Sequence, residues 1–168
     1  MKPGLSMKPG RFMKPGRSIK WGLLILLWCL LGQLAVSRAV AAEPDLVLVT
    51  SNLSTIGPLT TEEVRKLYLG VSMFHEGQTI KPLLNYSDGY VQEVFMQKVM
   101  FMSTPAYQRQ ILSRVFRMGG NRPPAYTGLH MLLDALKADS STLTYIYSDE
   151  ASAHPELKII STLWEAQD

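Results

Sequence analysis

The chain has 168 residues, of which 46% are hydrophobic and 18% charged, and its formal net charge is +3. The basic excess comes from the first 41 positions, which hold seven Lys or Arg and no acid, so the remaining 127 residues carry ten basic against fourteen acidic side chains, a net charge of −4. The basic pI is therefore no argument for nucleic-acid binding. Because the single cysteine, Cys29, also lies in the first 41 residues, the rest of the chain has no disulfide and no thiolate site.

The first 41 residues have the pattern of an export signal. Basic residues precede an apolar run from Trp21 to Leu31, and Ala39-Val40-Ala41 supplies the small residues that signal peptidase requires. The apolar run is about 11–15 residues long, shorter than the ~20 that span a bilayer. An uncleaved membrane anchor is the alternative, and the cleavage site favours export. We predict a cleaved signal peptide over residues 1–41 and one periplasmic domain over residues 42–168.

The part after the signal alternates predicted strands with predicted helices. The apolar run at 45–50 predicts a strand buried on both faces, as in a parallel sheet. Thr60 and Glu63 form a capping box for the next helix, and Gly70 is placed to end it. The patterns that follow predict a turn at 73–78, a short or edge strand at 79–84, helices at 90–102, from 103 to 119–120 and from about 127, and strands at 143–147 and 157–160. This alternation indicates an α/β domain, a layered sheet with flanking helices.

Two of the predicted helices have wide apolar stripes, which we expect to be buried. Methionines widen the first stripe, and we interpret them as core filling rather than as a metal or partner site. The first stripe contains Val91, Val94, Phe95, Met96, Val99, Met100, Phe101 and Met102, and the second contains Tyr107, Ile111, Leu112, Val115 and Phe116.

The polar turn Ser87-Asp88-Gly89 connects a predicted strand to a predicted helix. In this arrangement the backbone N–H groups of Gly89, Tyr90 and Val91, with the Ser87 hydroxyl, would face a bound anion at the positive end of the helix dipole. The alternative is a helix capped by Ser87 or Asp88 with no ligand present.

Several short motifs together resemble the phosphate-binding proteins of ABC transporters. The segment from 60 to Tyr68-Leu69-Gly70 is similar to their segment ending in -(I/L)(F/Y)LG-, and Ser87-Asp88-Gly89 lies where that family has the loop S-D-G-S-G-T. Phe116 with the glycines and prolines at 119–124 is similar to the F-x-G-x-G-x-P-P stretch of short members, and 141–146 to G-(A/S)-I-G-Y-V. The resemblance covers residues 46–147 and implies a type II periplasmic-binding-protein-like fold, reduced in size.

The resemblance also implies a ligand, phosphate or a similar small oxyanion. Asp88 would accept a hydrogen bond from a protonated phosphate oxygen, which sulfate lacks at neutral pH. Arg122 would supply the opposite charge, since a guanidinium fits an oxyanion bidentately. Ser51 and Asn52 would complete the site from the end of the first strand, where α/β sheets bind ligands.

A second hypothesis is an envelope interaction or sensory module that keeps the fold and binds no small anion. Tyr90-Val91-Gln92 follows Ser87-Asp88-Gly89 where the family's loop has a second Gly and a Thr, so a close backbone approach and a hydroxyl donor are lost. A membrane transporter or sensor subunit would be the partner under either hypothesis. We expect no enzyme, cofactor, metal or nucleic-acid partner, because the histidines are scattered and no serine lies in a nucleophile-elbow pattern.

Overall fold

The computed structural model describes residues 44–119 and 121–166, so the predicted signal peptide and Gly120 lie outside the described residues. The helices are α1 (Thr61–Tyr68), α2 (Gly89–Val94), α3 (Thr104–Met118), α4 (Leu129–Ala138) and α5 (Ser148–Ala153), and a π-helical segment, Phe95–Val99, continues α2. The strands are β1 (Leu46–Ser51), β2 (Phe74–His75), β3 (Gln78–Thr79), β4 (Lys81–Pro82), β5 (Leu84–Asn85), β6 (Ala125–Tyr126), β7 (Thr142–Tyr147) and β8 (Leu157–Trp164). None of the helices described here is long and apolar enough to cross a bilayer.

The main sheet has the strand order β4-β7-β1-β8. β1 pairs antiparallel with both β7 and β8, whereas β4 pairs parallel with β7. One residue further on, the chain changes partner: Leu83 N donates to Leu143 O at 2.8 Å, and Leu84 N donates to Pro124 O at 2.8 Å. β5 therefore pairs with β6, and the strand with Pro82 is short and terminal in the main sheet, as its proline predicts.

The prediction that β1 is buried on both faces is confirmed, and the expectation of parallel neighbours is wrong. Every residue of β1 is buried. Leu46 and Leu48 belong to one hydrophobic cluster and Val47 and Val49 to another, because side chains alternate across a strand. Packed side chains on both sides of the sheet bury β1. Its apolar run therefore indicates that both faces are covered, but does not indicate whether the neighbouring strands are parallel or antiparallel.

An aromatic cluster of Tyr68, Phe95 and Tyr145 forms the centre of the larger core. Phe95 stacks on Tyr145 with centroids 3.6 Å apart, and Tyr68 meets Phe95 edge-on at 4.8 Å. The hydroxyl of Tyr68 donates to Leu83 O at 3.0 Å, and that of Tyr107 donates to Tyr68 O at 2.9 Å. Burial raises the pKa of Tyr68 and Tyr145 well above the ordinary value. The phenols therefore stay protonated donors at neutral pH.

Local capping signals are confirmed in detail. Thr60 Oγ1 accepts from Glu63 N while Glu63 Oε2 accepts from Thr60 N, which is the predicted capping box. Gly70 follows α1 with φ of 85°, and Gly77 closes the β2–β3 turn with φ of 80°. Both angles lie in the left-handed region that glycine adopts at low cost.

Three of the apolar residues predicted to be buried are exposed instead. The π-helical segment ends before Phe101, whose φ of 54° turns the ring outward, where it is 70% exposed and lies 4.6 Å from the guanidinium of Arg65. On α3 only Tyr107 and Ile111 are buried, and Leu112 and Phe116 are 55% and 80% exposed. Helical periodicity identifies residues that share a face but does not determine whether that face is covered.

Removing the central ring should destabilise the domain. We expect Phe95→Ala to lower the free energy of unfolding by about 3–5 kcal/mol, since it deletes a fully buried ring and leaves a cavity. Urea denaturation measures this loss. Phe74→Ala, at an exposed position of β2, is the matched control and should change stability by less than about 0.5 kcal/mol. Equal effects of the two substitutions would contradict the role assigned to Phe95.

The Lys81–Asp139 pair should make stability depend on acid pH. A hydrogen bond from Lys81 Nζ at 2.7 Å, assisted by Ser141, lowers the pKa of Asp139 to about 2. Because the folded pKa lies below the unfolded one, the stabilisation is present above about pH 4 and is lost as pH falls toward 2. We expect Asp139→Asn to flatten the wild-type acid dependence in that window by about 1 kcal/mol, because the pair is partly solvent-screened. Lys81→Met should flatten it similarly, and an unchanged profile in both variants would contradict this prediction.

Candidate functional site

The polar side chains of the turn before α2 form hydrogen bonds within the protein. Asp88 is the N-cap of α2, and its Oδ1 accepts from Tyr90 N at 2.7 Å. Ser87 donates both its N–H and its hydroxyl to Asn85 Oδ1, at 3.0 and 2.6 Å. The structure therefore contains the capped helix that was the alternative to an anion site, and the Ser87 hydroxyl hydrogen is already engaged.

Asn85 anchors this turn to the sheet, a role that our sequence reasoning missed. Its side chain is buried, and Asn85 Nδ2 donates to Tyr145 O at 3.1 Å while Tyr145 Oη donates to Asn85 O at 3.2 Å. The same amide accepts the two hydrogen bonds of Ser87 through its oxygen. An asparagine two residues before a serine is the signature of an Asx turn, and that signal could have identified the anchor.

A cavity of about 440 Å³ lies beside the turn and is acidic. Ser87, Asp88 and Val91 line one part of it, and residues from the loop before α4 and from the β7–α5 junction line the rest. Asp88, Asp149 and Glu150 all contribute carboxylates, and no Lys or Arg is among the lining residues. The potential inside this cavity is therefore negative at neutral pH.

Gly89 and Tyr90, the other residues of the predicted turn site, do not line this cavity. Gly89 is the first residue of α2 and faces a different depression, next to Ser103 and Thr104. The ring of Tyr90 is largely exposed and lies 6.4 Å, centroid to centroid, from the ring of Tyr147, which lines the acidic cavity.

The structure does not bring Ser51 and Asn52 to the turn. The register pairs Leu46, at the other end of β1, with Tyr147, and Ser51 is five residues further along, about 16 Å at the usual strand rise. Ser51 Oγ instead accepts from Leu53 N at 3.3 Å, and Asn52 is exposed. The expectation that they complete the site depended on a parallel β1, and the antiparallel direction sends them to the opposite edge.

Arg122 does not line the cavity beside the turn either. It lines a second and larger groove, of about 960 Å³, bounded by α1, β4, α3 and the loop at 121–124. Arg114 and Lys81 lie in the same groove, which shares no lining residue with the acidic cavity. The predicted positive partner of the turn therefore belongs to a different surface.

A metal site requires several His, Cys, Asp or Glu side chains close together. Groups of three or more His, Cys, Asp or Glu side chains placed to hold a metal ion do not occur in residues 44–119 and 121–166. Two histidines lie beside carboxylates: His130 Nδ1 lies 3.2 Å from Asp134, and His154 Nε2 lies 2.9 Å from Glu150.

Three solved structures show the proteins to which this chain is similar in fold. An ABC-type phosphate transport receptor from Vibrio cholerae matches with a TM-score of 0.54 at 13% identity, over 74% of this chain and 49% of that one. A putative phosphate ABC transporter substrate-binding protein with bound phosphate, from Clostridium perfringens, matches with a TM-score of 0.53 at 12% identity, over 74% and 47%. PstS from Borrelia burgdorferi matches with a TM-score of 0.50 at 17% identity, over 70% and 47%.

These similarities establish the fold. The predicted α/β, type II periplasmic-binding-protein-like architecture is confirmed, and the chain spans about half the length of the receptors it matches. No protein-family model matches the sequence, and a search of curated proteins found no match.

Breaking the Asn85 anchor should loosen the turn. We expect Asn85→Ala to lower the free energy of unfolding by about 2–3 kcal/mol, because it leaves buried backbone groups without partners. Ser87→Ala removes only one side of the contact and should cost about 1 kcal/mol. Urea denaturation gives both values, and faster amide exchange at Ser87 in Asn85→Ala reports the local loosening. A larger loss in Ser87→Ala than in Asn85→Ala would contradict the assignment.

Proposed function

We propose that the chain is an exported, non-catalytic binding domain that acts in the periplasm as a protein–protein interaction module with a receptor fold. One observation carries this choice over a small-anion receptor: the turn that would hold the anion borders a cavity with three carboxylates and no cation. Its Ser87 hydroxyl and Asp88 carboxylate are also engaged in hydrogen bonds within the protein.

Charge opposes a phosphate ion at this turn. At neutral pH phosphate is a mixture of the mono- and dianion, and a carboxylate about 5 Å from a unit negative charge repels it by about 3 kcal/mol at an effective dielectric constant of 20, and by less where solvent screens the pair. The helix dipole at α2 supplies only about half a positive charge. The three acidic lining residues therefore oppose the weak attraction that the N-terminus of a six-residue helix provides.

Support for export and for a non-catalytic role comes from different parts of the chain. The basic, apolar and small-residue regions of positions 1–41 follow the order of a cleavable signal. Throughout the part that the structure describes, no serine or threonine hydroxyl is hydrogen-bonded to a histidine, so a nucleophile–base pair is not assembled there.

Phosphate or a similar oxyanion at the turn is the second candidate, and the fold likeness to phosphate receptors favours it. Asp88 would accept a hydrogen bond from a protonated phosphate oxygen, and the N–H groups at the start of α2 would donate to the others. A transporter or sensor subunit in the membrane would then be the partner of the loaded domain.

Thermal unfolding in phosphate and in sulfate separates the two candidates. For the interaction module we expect no selective increase of Tm at about 10 mM phosphate, beyond the matched sulfate control. A receptor site with Kd of about 0.1 mM would instead raise the free energy of unfolding by about 2.7 kcal/mol at this phosphate concentration, and Tm would rise with it.

Two variants locate any effect that appears. A phosphate-selective increase of Tm that disappears in Asp88→Asn would contradict the interaction module, since Asn keeps the helix cap and removes only the acceptor charge. The double variant Asp149→Asn/Glu150→Gln is the control for repulsion. If carboxylates exclude phosphate, this variant should gain a phosphate response that the wild type lacks.

A further inference from the structure

Basic residues of the domain are concentrated on one part of the chain. Residues 94–133 contain five basic side chains and no acid, whereas the other residues of 42–168 contain five basic and fourteen acidic ones. Lys98 of this set lies over the ring of Trp164, at 5.6 Å. The other four are arginines on α3 and on the loop that follows it: Arg109, Arg114, Arg117 and Arg122.

These four arginines have no ion pair within residues 44–119 and 121–166, although Lys66 and Lys81 each have one and Lys137 has two. Among them, Arg117 Nε donates a hydrogen bond to Ser113 O on the same helix, at 3.3 Å. Arginine forms bidentate hydrogen bonds with carboxylates more readily than lysine does. The fold therefore leaves its best carboxylate binders available to an external group.

The same helix exposes an apolar row. Leu112 and Phe116 are one turn apart and lie on one face, and Met118 is exposed at the end of the helix. Single exposed apolar residues are common, but a Leu, a Phe and a Met clustered on one helix are typical of an interaction surface.

The large groove begins next to this row. Val115, one position before Phe116, lines it together with Leu67, Ile80 and Ile111 on the apolar side, and with Arg114 and Arg122 on the charged side. Its volume of about 960 Å³ is enough for several apolar side chains of a partner. Concave apolar surface, an exposed apolar row and unpaired arginines thus occur together.

We propose that α3, the loop at 121–124 and the groove beside them form a docking surface for an acidic, amphipathic helix of a partner protein. Apolar residues of that helix would occupy the groove and cover Phe116, while its Asp and Glu side chains would bind the arginines. The groove favours a protein segment over a lipid surface, because a flat membrane cannot fill a concave site. This inference rests on the proposed function and names the surface and the partner chemistry.

A designed peptide tests the proposal. The probe is a fluorescent 18-residue helix with Leu and Phe on one face and Glu at the other positions, and its control has Lys in place of every Glu. With protein purified after expression of the full sequence, we expect the Glu peptide to bind in fluorescence anisotropy at least about tenfold more tightly than the Lys peptide. Binding should weaken as the salt concentration rises, because exposed charge pairs are screened.

Surface variants locate the binding site. Phe116→Ala and the double variant Arg117→Gln/Arg122→Gln should each weaken binding of the Glu peptide about tenfold or more. The matched controls are Phe74→Ala, another exposed Phe, and Lys66→Gln, another exposed cation on a helix. Both controls should change Kd by less than about twofold.

Several results would overturn the docking surface. They are no binding of the Glu peptide at about 1 mM, equal binding of both peptides, equal effects of Phe116→Ala and Phe74→Ala, or anionic vesicles binding where the peptide does not. A wild-type dimer that Phe116→Ala converts to a monomer would assign the surface to a second copy and also overturn the proposal.

Failure of this inference is distinguishable from failure of the proposed function. A phosphate-selective increase of Tm that depends on Asp88 would contradict the interaction module, but it would not change the result of the peptide-binding experiment. If the Glu peptide does not bind and phosphate does not raise Tm selectively, only the docking surface is contradicted, and the proposed interaction module is not.

Discussion

The hydrogen bonds that the buried phenols and Asn85 require determine where the candidate site lies. Tyr68 and Tyr145 are inaccessible to water, so their hydroxyls must find partners inside the protein. They find them on β5 and the residue before it, at the carbonyl oxygens of Asn85 and Leu83. Asn85 in turn bonds to β7 with its amide nitrogen and to Ser87 with its amide oxygen. The aromatic core thus fixes the strand, the strand fixes Asn85, and Asn85 fixes the turn.

Features encoded by neighbouring residues could be predicted from the sequence. The capping box at Thr60, the left-handed Gly70 and the cap at Asp88 each depend on atoms a few positions apart. The direction of β1 was not predictable in this way, because it depends on pairing with β7 and β8, about a hundred residues later. The exposure of Phe116 likewise depends on which other elements pack against α3, and the apolar periodicity of the helix does not provide that information.

The same distinction explains the candidate site. Ser87, Asp88 and Gly89 form a local motif, and the resemblance to phosphate receptors identified its place in the fold. The charges around it come from elsewhere: Asp149 and Glu150 are about sixty positions away in the sequence, and Arg122 lies in another groove. A motif predicts backbone geometry well, but the electrostatic potential at the motif is a property of the whole fold.

Charge segregation constrains how any anion effect on this domain is interpreted. A small dianion experiences attraction near the arginines of α3 and repulsion near Asp88, Asp149 and Glu150. The residues that attract a dianion and the residues that repel it line different cavities. Weak stabilisation by many anions alike would reflect this diffuse attraction, which salt screens. Only selectivity for phosphate over sulfate that depends on the carboxylate of Asp88 identifies the turn, because that side chain does not line the basic groove and would accept one specific phosphate proton.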